Sequence, residues 1–137
     1  MSAAPLIAAA VAALLAGCTA RQPSPEAVAR ADQRLAEATR GLVPGKPQSC
    51  IASMGLQGPT QIDPSTLIYR ASANQVYVNR LGVPCPGLDQ SDTVLVTRQL
   101  NPSQLCASDT FTLVDRTSRF PRGTCSYGRF TPYRKAK

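Results

Sequence analysis

The first regular pattern in the chain is a stripe of apolar residues at helical spacing, formed by Val28, Ala31, Leu35, Ala38 and Leu42. Steps of three and four residues place these side chains on one face of an α-helix. Ser24 and Pro25 precede the stripe as a cap and a first helical residue, and the Gly/Pro-rich residues 41–47 end it. We expect this helix to pack against its own domain; a helix that binds a partner or oligomerises is the alternative.

From Gln48 onward the pattern changes to short runs of β-branched and aromatic residues with turn residues between them. Residues 66–71 and 75–81 flank a short turn and predict a β-hairpin. Further strands are predicted at residues 93–98 and 110–114, and a last one at about Cys125–Phe130, ending near Pro132. The chain is therefore predicted to be mainly β, with five or six strands in a small antiparallel sheet, sandwich or barrel after one N-terminal helix.

A third pattern is the uncharged run at residues 6–17, LIAAAVAALLAG. It is shorter than the roughly 20 residues that span a bilayer and has the size of the apolar core of a secretory signal. Its end, Leu15-Ala16-Gly17-Cys18, resembles the lipobox of bacterial lipoproteins, although residues 1–5 lack the usual Lys or Arg. The resemblance implies cleavage after Gly17 and a lipid on the Cys18 thiol. An ordinary signal peptide, with Cys18 as a simple thiol, is the alternative.

These patterns predict where the chain goes and how it is divided. Thr19 follows the cysteine, and by resemblance to known lipoproteins we expect export to the outer membrane, facing the periplasm. The predicted segments are a signal peptide over residues 1–17, a lipid-anchored spacer and helix over 18–47, a small disulfide-linked β domain over 48–133, and a basic tail over 134–137.

Five cysteines are an odd number, and lipidation of Cys18 leaves Cys50, Cys85, Cys106 and Cys125. The periplasm is oxidising, so two disulfides are expected. A zinc or redox site is the alternative, but these cysteines do not form the close pairs that such sites use. Four cysteines allow three pairings, of which we favour the nested one, Cys85–Cys106 with Cys50–Cys125.

The net charge of +7 belongs to one end of the chain. The last 22 residues contain seven of the fifteen basic residues and no acid, so the other eight basic residues balance all eight acids. The basic residues of interest are Arg116, Arg119, Arg122, Arg129, Arg134 and Lys135, with Tyr127, Phe130 and Tyr133 between them.

This pattern predicts a surface that binds an anionic phospholipid, lipopolysaccharide phosphates or an acidic glycan. Nucleic acid would suit the charge but not the expected compartment. The alternative is a final strand followed by a solvated basic tail.

Catalysis is not expected, because the chain has no histidine and no recognisable catalytic or phosphate-binding motif. No cofactor and no metal are expected either. Asp89 and Asp92 are the closest pair of acids in the Pro/Gly-rich loop region, where such acids are usually solvated. A carbohydrate-active envelope enzyme that uses carboxylates alone is the alternative to a binding protein.

Several short segments together resemble a family of small, secreted or lipid-anchored Gram-negative bacterial proteins of unknown function. They are GKPQSCI, LIYR, VYVNRL, CPGL, QLC and GTCSYGRFTPYR, which surround the four later cysteines. The resemblance implies no activity or catalytic residue. We therefore expect a structural or binding role at the cell envelope, with an anionic surface or a protein as partner.

Overall fold

The structure, a computed structural model, describes residues 22–137, in which a five-stranded antiparallel sheet has other elements packed on both faces. The predicted signal peptide and Cys18 lie outside these residues. One helix precedes ten strands: α1 (Pro25–Ala38), β1 (Leu42–Pro44), β2 (Cys50–Ala52), β3 (Gln57–Asp63), β4 (Thr66–Ser72), β5 (Gln75–Arg80), β6 (Thr93–Arg98), β7 (Gln104–Cys106), β8 (Thr110–Asp115), β9 (Pro121–Ser126) and β10 (Phe130–Lys135).

The strands form three open sheets in which every pairing is antiparallel. The large sheet has the order β1-β10-β5-β4-β3, the three-stranded sheet has the order β6-β8-β9, and β2 pairs with β7. The mainly β, antiparallel architecture after one helix is therefore confirmed. Residues 22–137 contain ten strands rather than five or six, because three-residue strands such as β1, β2 and β7 are too short to show a period of two.

Helix α1 begins as predicted: the Ser24 hydroxyl accepts a hydrogen bond from Ala27 N at 3.2 Å, and Pro25 occupies the first turn. Three residues of its apolar stripe, Ala31, Leu35 and Ala38, pack on one face of the large sheet against a cluster that contains Ile62, Ile68, Val76 and Val78. Val28 is exposed, and Leu42 lies beyond the end of the helix, in β1. The helix therefore packs against its own domain.

The opposite face of the large sheet carries Leu67, Tyr69 and Tyr77, which pack against Phe111 and Leu113 of the three-stranded sheet. Alternate residues of a strand point to opposite faces of the sheet, and strands β4 and β5 bury side chains on both the helix face and the opposite face. This burial on both faces explains why LIY and VYV are continuous apolar runs.

The predicted hairpin is confirmed as β4 and β5, and β6 and β8 lie where the sequence placed them. The predicted last strand is wrong. Strand β9 ends at Ser126, residues 127–129 turn, and a new strand continues through Pro132 to Lys135.

Pro132 is tolerated inside a strand because of where its backbone points. The Pro132 carbonyl accepts from Gly45 N at 2.7 Å, just beyond the end of the short edge strand β1. The nitrogen of Pro132 faces the same side, where no neighbouring strand requires an N–H donor.

The disulfides are Cys50–Cys106 and Cys85–Cys125, so the predicted nested pairing is wrong. Cys50 of β2 stands directly opposite Cys106 of β7, with Cα atoms 4.0 Å apart. Cys85 lies in the loop after β5 and reaches Cys125 of β9. The prediction failed because the pairing of β2 with β7, more than fifty residues apart, leaves no local signal.

Two further boundaries differ from the sequence-based segments. Arg134 and Lys135, assigned to a basic tail, lie in β10, and β1 lies within the segment assigned to the spacer and helix. Within residues 22–137, no helix has the length and apolar character needed to cross a membrane.

Candidate functional site

The structure separates the six predicted basic residues instead of aligning them along one strip. Arg116 and Arg119 lie in the β8–β9 connection of the three-stranded sheet, and Arg122 lies in β9. Arg134 and Lys135 lie on β10 of the large sheet, and Arg129 lies in the turn between the two sheets, where it donates to Pro47 O at 3.1 Å.

The aromatic residues between them do not form a binding face. Tyr127 and Phe130 are buried in the core, and Tyr133 is half-buried against the cluster under the helix. The Tyr127 hydroxyl lies 2.8 Å from the hydroxyls of both Tyr69 and Thr97, and burial raises the pKa of Tyr69 and Tyr127. These aromatics serve packing.

Arg122 is occupied by two carboxylates, with Asp92 Oδ2 at 2.7 Å and Asp115 as the second partner. The Asp115 carboxylate also accepts from the backbone N–H of Ser118, and this bond together with Arg122 lowers the pKa of Asp115 to about 2. Asp92 and Asp115 in turn raise the pKa of Arg122. Arg122 therefore braces the connection and is not free for an external anion.

A cationic pocket of about 390 Å³ lies where β1 ends beside β10. Its lining residues are Val43, Pro44, Gly45, Lys46, Gln48, Pro132 and Arg134. They include two cations and no acid. We call this the cationic pocket.

The pairing of β1 with β10 shows which face of the sheet the pocket occupies. Leu42 packs in the cluster under the helix, so the next residue, Val43, points to the opposite face. Arg134 is opposite Val43 in the ladder and shares that face. The cationic pocket therefore lies on the face away from α1, at the β1 edge of the sheet.

Gln75 of the neighbouring strand holds the Arg134 side chain. With its amide oxygen turned toward the Tyr77 hydroxyl, Gln75 accepts from that hydroxyl at 2.6 Å and from Arg134 Nε and Nη2 at 3.1 and 3.2 Å. An arginine has five N–H donors, so others remain for a ligand. A guanidinium oriented in this way, in a pocket that Lys46 also lines, suits a carboxylate or a phosphate.

A model of a family of unknown function, DUF6491, matches residues 1–129 of this chain. The chain belongs to this family. No curated protein and no solved structure matches it. The predicted membership of an uncharacterised family is thus confirmed, and the lipobox and the Gram-negative origin stay predictions.

In this DUF6491 chain, sequence reasoning missed Lys46, Gln48 and Gln75. Lys46 lies in Pro44-Gly45-Lys46-Pro47, a segment whose glycine and prolines predict only the end of a helix. An isolated lysine between two prolines was the one local signal, and nothing in the sequence indicated that it would line the same pocket as Arg134.

A second concavity of the DUF6491 chain, of about 1060 Å³, lies between the start of α1, the β3–β4 turn and the loop after β5. Ala31, Ile62 and Pro64 are among its apolar lining residues, and Asp32, Asp63 and Asp89 lie along it. Asp63 is engaged locally, because its Oδ1 accepts from Ser65 N at 2.6 Å. Among residues 22–137, no group of three or more His, Cys, Asp or Glu side chains could hold a metal ion.

Proposed function

We propose that this protein is a lipid-anchored binding protein of the bacterial cell envelope, attached through Cys18 to the outer membrane and facing the periplasm. Its cationic pocket holds the anionic group of an acidic periplasmic glycan. The observation that carries this proposal is a pocket whose lining includes both Lys46 and Arg134 and no acid.

The position of the pocket favours a glycan as its ligand, and not a lipid of the membrane that holds the anchor. The chain enters the described fold at Ser24, beside Ile62 and Asp63 of the edge strand β3 and on the helix side of the sheet. The cationic pocket lies on the other face and at the opposite edge strand, β1. Four strand spacings, about 19 Å, separate these edges. A ligand in the pocket would therefore come from the periplasmic space.

Binding of charged oligosaccharides to the purified protein in neutral detergent micelles tests this function. A polyuronic acid oligosaccharide should bind, and a neutral oligosaccharide of the same length should not. Arg134→Gln or Lys46→Gln should each weaken binding about tenfold, the effect of losing one hydrogen bond to a charged group. Inorganic phosphate and anionic vesicles serve as further probes, so that a preference for phosphate over carboxylate becomes visible.

Arg98→Gln is the matched control, because Arg98 is an exposed arginine on the separate three-stranded sheet. It removes the same charge and should leave affinity within twofold. Equal losses for Arg98→Gln and Arg134→Gln would assign binding to net charge and contradict the pocket. Binding to anionic vesicles that is tighter than binding to the oligosaccharide and is lost in Arg134→Gln would contradict the glycan as the ligand of the pocket.

The anchor is tested separately by mass spectrometry of the mature protein. We expect cleavage before Cys18 and added acyl mass on that residue. The two disulfides support an oxidising compartment, because such bonds persist outside the cytosol. A mature chain that starts elsewhere, or carries no acyl mass, would contradict the anchor without affecting the pocket.

A carbohydrate-active enzyme that uses carboxylates alone is the second candidate, and the concavity containing Asp32, Asp63 and Asp89 is the observation that favours it. An assay for new reducing ends on acidic and neutral glycans separates the two functions. Release that disappears in Asp89→Asn but persists in Asp92→Asn would support the enzyme. We expect no release.

A further inference from the structure

The last residue of β8 and the connection to β9, residues 115–120, form a turn that exposes an aromatic side chain among cations; we call it the β8–β9 tip. Phe120 is 71% exposed, although it is a large apolar residue. Arg116 and Arg119 are also exposed, and within residues 22–137 neither side chain forms a hydrogen bond or salt bridge. We propose that this tip is a second contact with the membrane, in which Phe120 enters the interface of an anionic bilayer and the two arginines pair with lipid phosphates.

The tip is held in shape by its first residue. Asp115 Oδ1 accepts from the backbone N–H groups of Thr117 and Ser118 at 2.9 and 2.8 Å, which closes the turn. Asp115 N donates to Phe120 O, and Arg119 N donates to Asp115 O, both at 2.9 Å. Phe120 therefore protrudes from an ordered turn, which lowers the entropy lost when it contacts a surface.

Arg119 adopts a left-handed backbone conformation, with φ of +61°. This region is uncommon for a residue with a side chain, and glycine or asparagine would adopt it at lower cost. Arginine stands here at a conformational cost of order 1 kcal/mol, and strain of this kind concentrates at functional positions. The turn keeps a cation next to Phe120 despite that cost.

The tip and the start of the described chain border the same loop. Pro84, Pro86 and Asp89 line the concavity together with residues 22–24. A few residues later, Asp92 O accepts from Arg116 N at 2.7 Å and the Asp92 carboxylate holds Arg122. Cys18 is six residues before Ser24, a reach of at most about 20 Å. An anchor at Cys18 would therefore hold the loop after β5, and the tip bonded to its end, close to the bilayer.

The chemistry of the tip matches a bilayer surface better than a protein groove. Arginine and phenylalanine together are typical of interfacial segments, in which the ring reaches the acyl boundary and the cations meet phosphates. Asp92 and Asp115 form salt bridges with Arg122 and offset two of the three positive charges near the tip. The net charge of these five residues is therefore +1. Contact should therefore depend on both the ring and the anionic lipid. The surface is distinct from the cationic pocket, and only the anchor is shared with the proposed function.

Tryptophan fluorescence tests the contact directly, because the chain contains no tryptophan. Phe120→Trp introduces one reporter at the tip, and Leu100→Trp, at a residue 78% exposed, introduces a matched reporter elsewhere. The complete mature protein is reconstituted in vesicles that contain brominated anionic or brominated neutral lipid. We expect the reporter at position 120 to shift to shorter wavelength and to be quenched in the anionic vesicles, and the one at position 100 to be unaffected.

The double substitution Arg116→Gln and Arg119→Gln is made in the Phe120→Trp background. It should lower the equilibrium constant for contact between the tip and the bilayer roughly thirty-fold, about fivefold for each cation. Quenching at position 120 no stronger than at position 100 would overturn the proposal. Equal quenching in anionic and neutral vesicles would overturn the part assigned to the arginines. Acyl mass on Cys18 is measured on the same sample. If the acyl mass is absent, the anchor has failed, and the same protein is then mixed with the vesicles. Quenching at position 120 in that mixture tests the tip without the anchor.

Discussion

Asn79 and Gly128 bind each other through two hydrogen bonds that join the core of the large sheet to the turn between β9 and β10. Asn79 Nδ2 donates to Gly128 O at 2.7 Å, and Gly128 N donates to Asn79 Oδ1 at 3.1 Å. Asn79 is fully buried, so this amide satisfies its own polar atoms while it holds the turn. The turn lets the chain leave the three-stranded sheet at Ser126 and enter the large sheet at Phe130.

Gly128→Ala should prevent this turn from forming. A Cβ at Gly128 would overlap the backbone oxygen of Arg80, which cannot move without displacing β5. We expect a loss of at least 3 kcal/mol in the free energy of unfolding, measured by urea denaturation. Gly123→Ala is the control, because a Cβ there meets nothing within 4 Å, and it should change stability by less than about 1 kcal/mol. Similar losses for both variants would contradict this account.

Asn79→Ala should destabilise the protein by about 2–4 kcal/mol, because it leaves the N–H and C=O groups of Gly128 without partners in a half-buried turn. Urea denaturation measures the loss. Asn74→Ala, in the exposed β4–β5 turn, removes the same side chain and should cost less than about 0.5 kcal/mol. A loss below 1 kcal/mol for Asn79→Ala would show that water replaces the amide.

The disulfides should contribute similarly to stability. Their sequence separations are 56 residues for Cys50–Cys106 and 40 for Cys85–Cys125, and in the chain-entropy model loops of this size contribute about 4 kcal/mol each. Replacing either pair by serine should lower the free energy of unfolding by up to this amount. Peptide mapping without reductant checks the connectivity, and a Cys85–Cys106 peptide would contradict it.

Asp115 should titrate with a pKa of about 2, below its ordinary value of 3.8. Because folding lowers this pKa, ionised Asp115 favours the folded state above about pH 3.8, and the contribution is lost as the pH falls through about 2. Arg122→Gln should raise the pKa of Asp115 toward its ordinary value but not fully, since the Ser118 N–H bond remains. Carbon-13 NMR of the carboxyl group measures the titration. Arg129→Gln, which removes a cation bonded to Pro47 O, is the control and should leave the pKa unchanged.

Local pattern was sufficient to predict α1, the β4–β5 hairpin and the strands β6 and β8. In these elements the period of apolar residues and the turn or cap residues are close together in the chain, so neighbouring residues determine the conformation. The family resemblance was also visible in the sequence, since it rests on short segments in a set order.

Tertiary structure decided the disulfide pairing, the break after Ser126 and the arrangement of the cations. Cys50 meets Cys106 only because β2 pairs with β7, and Lys46 and Arg134 line one pocket only because β1 pairs with β10. Strand pairing between distant segments depends on which faces bury their apolar side chains together, and a three-residue strand carries too few side chains to indicate its partner. For this reason the sequence predicted which residues carry charge and sulfur, and only packing determined which of them meet.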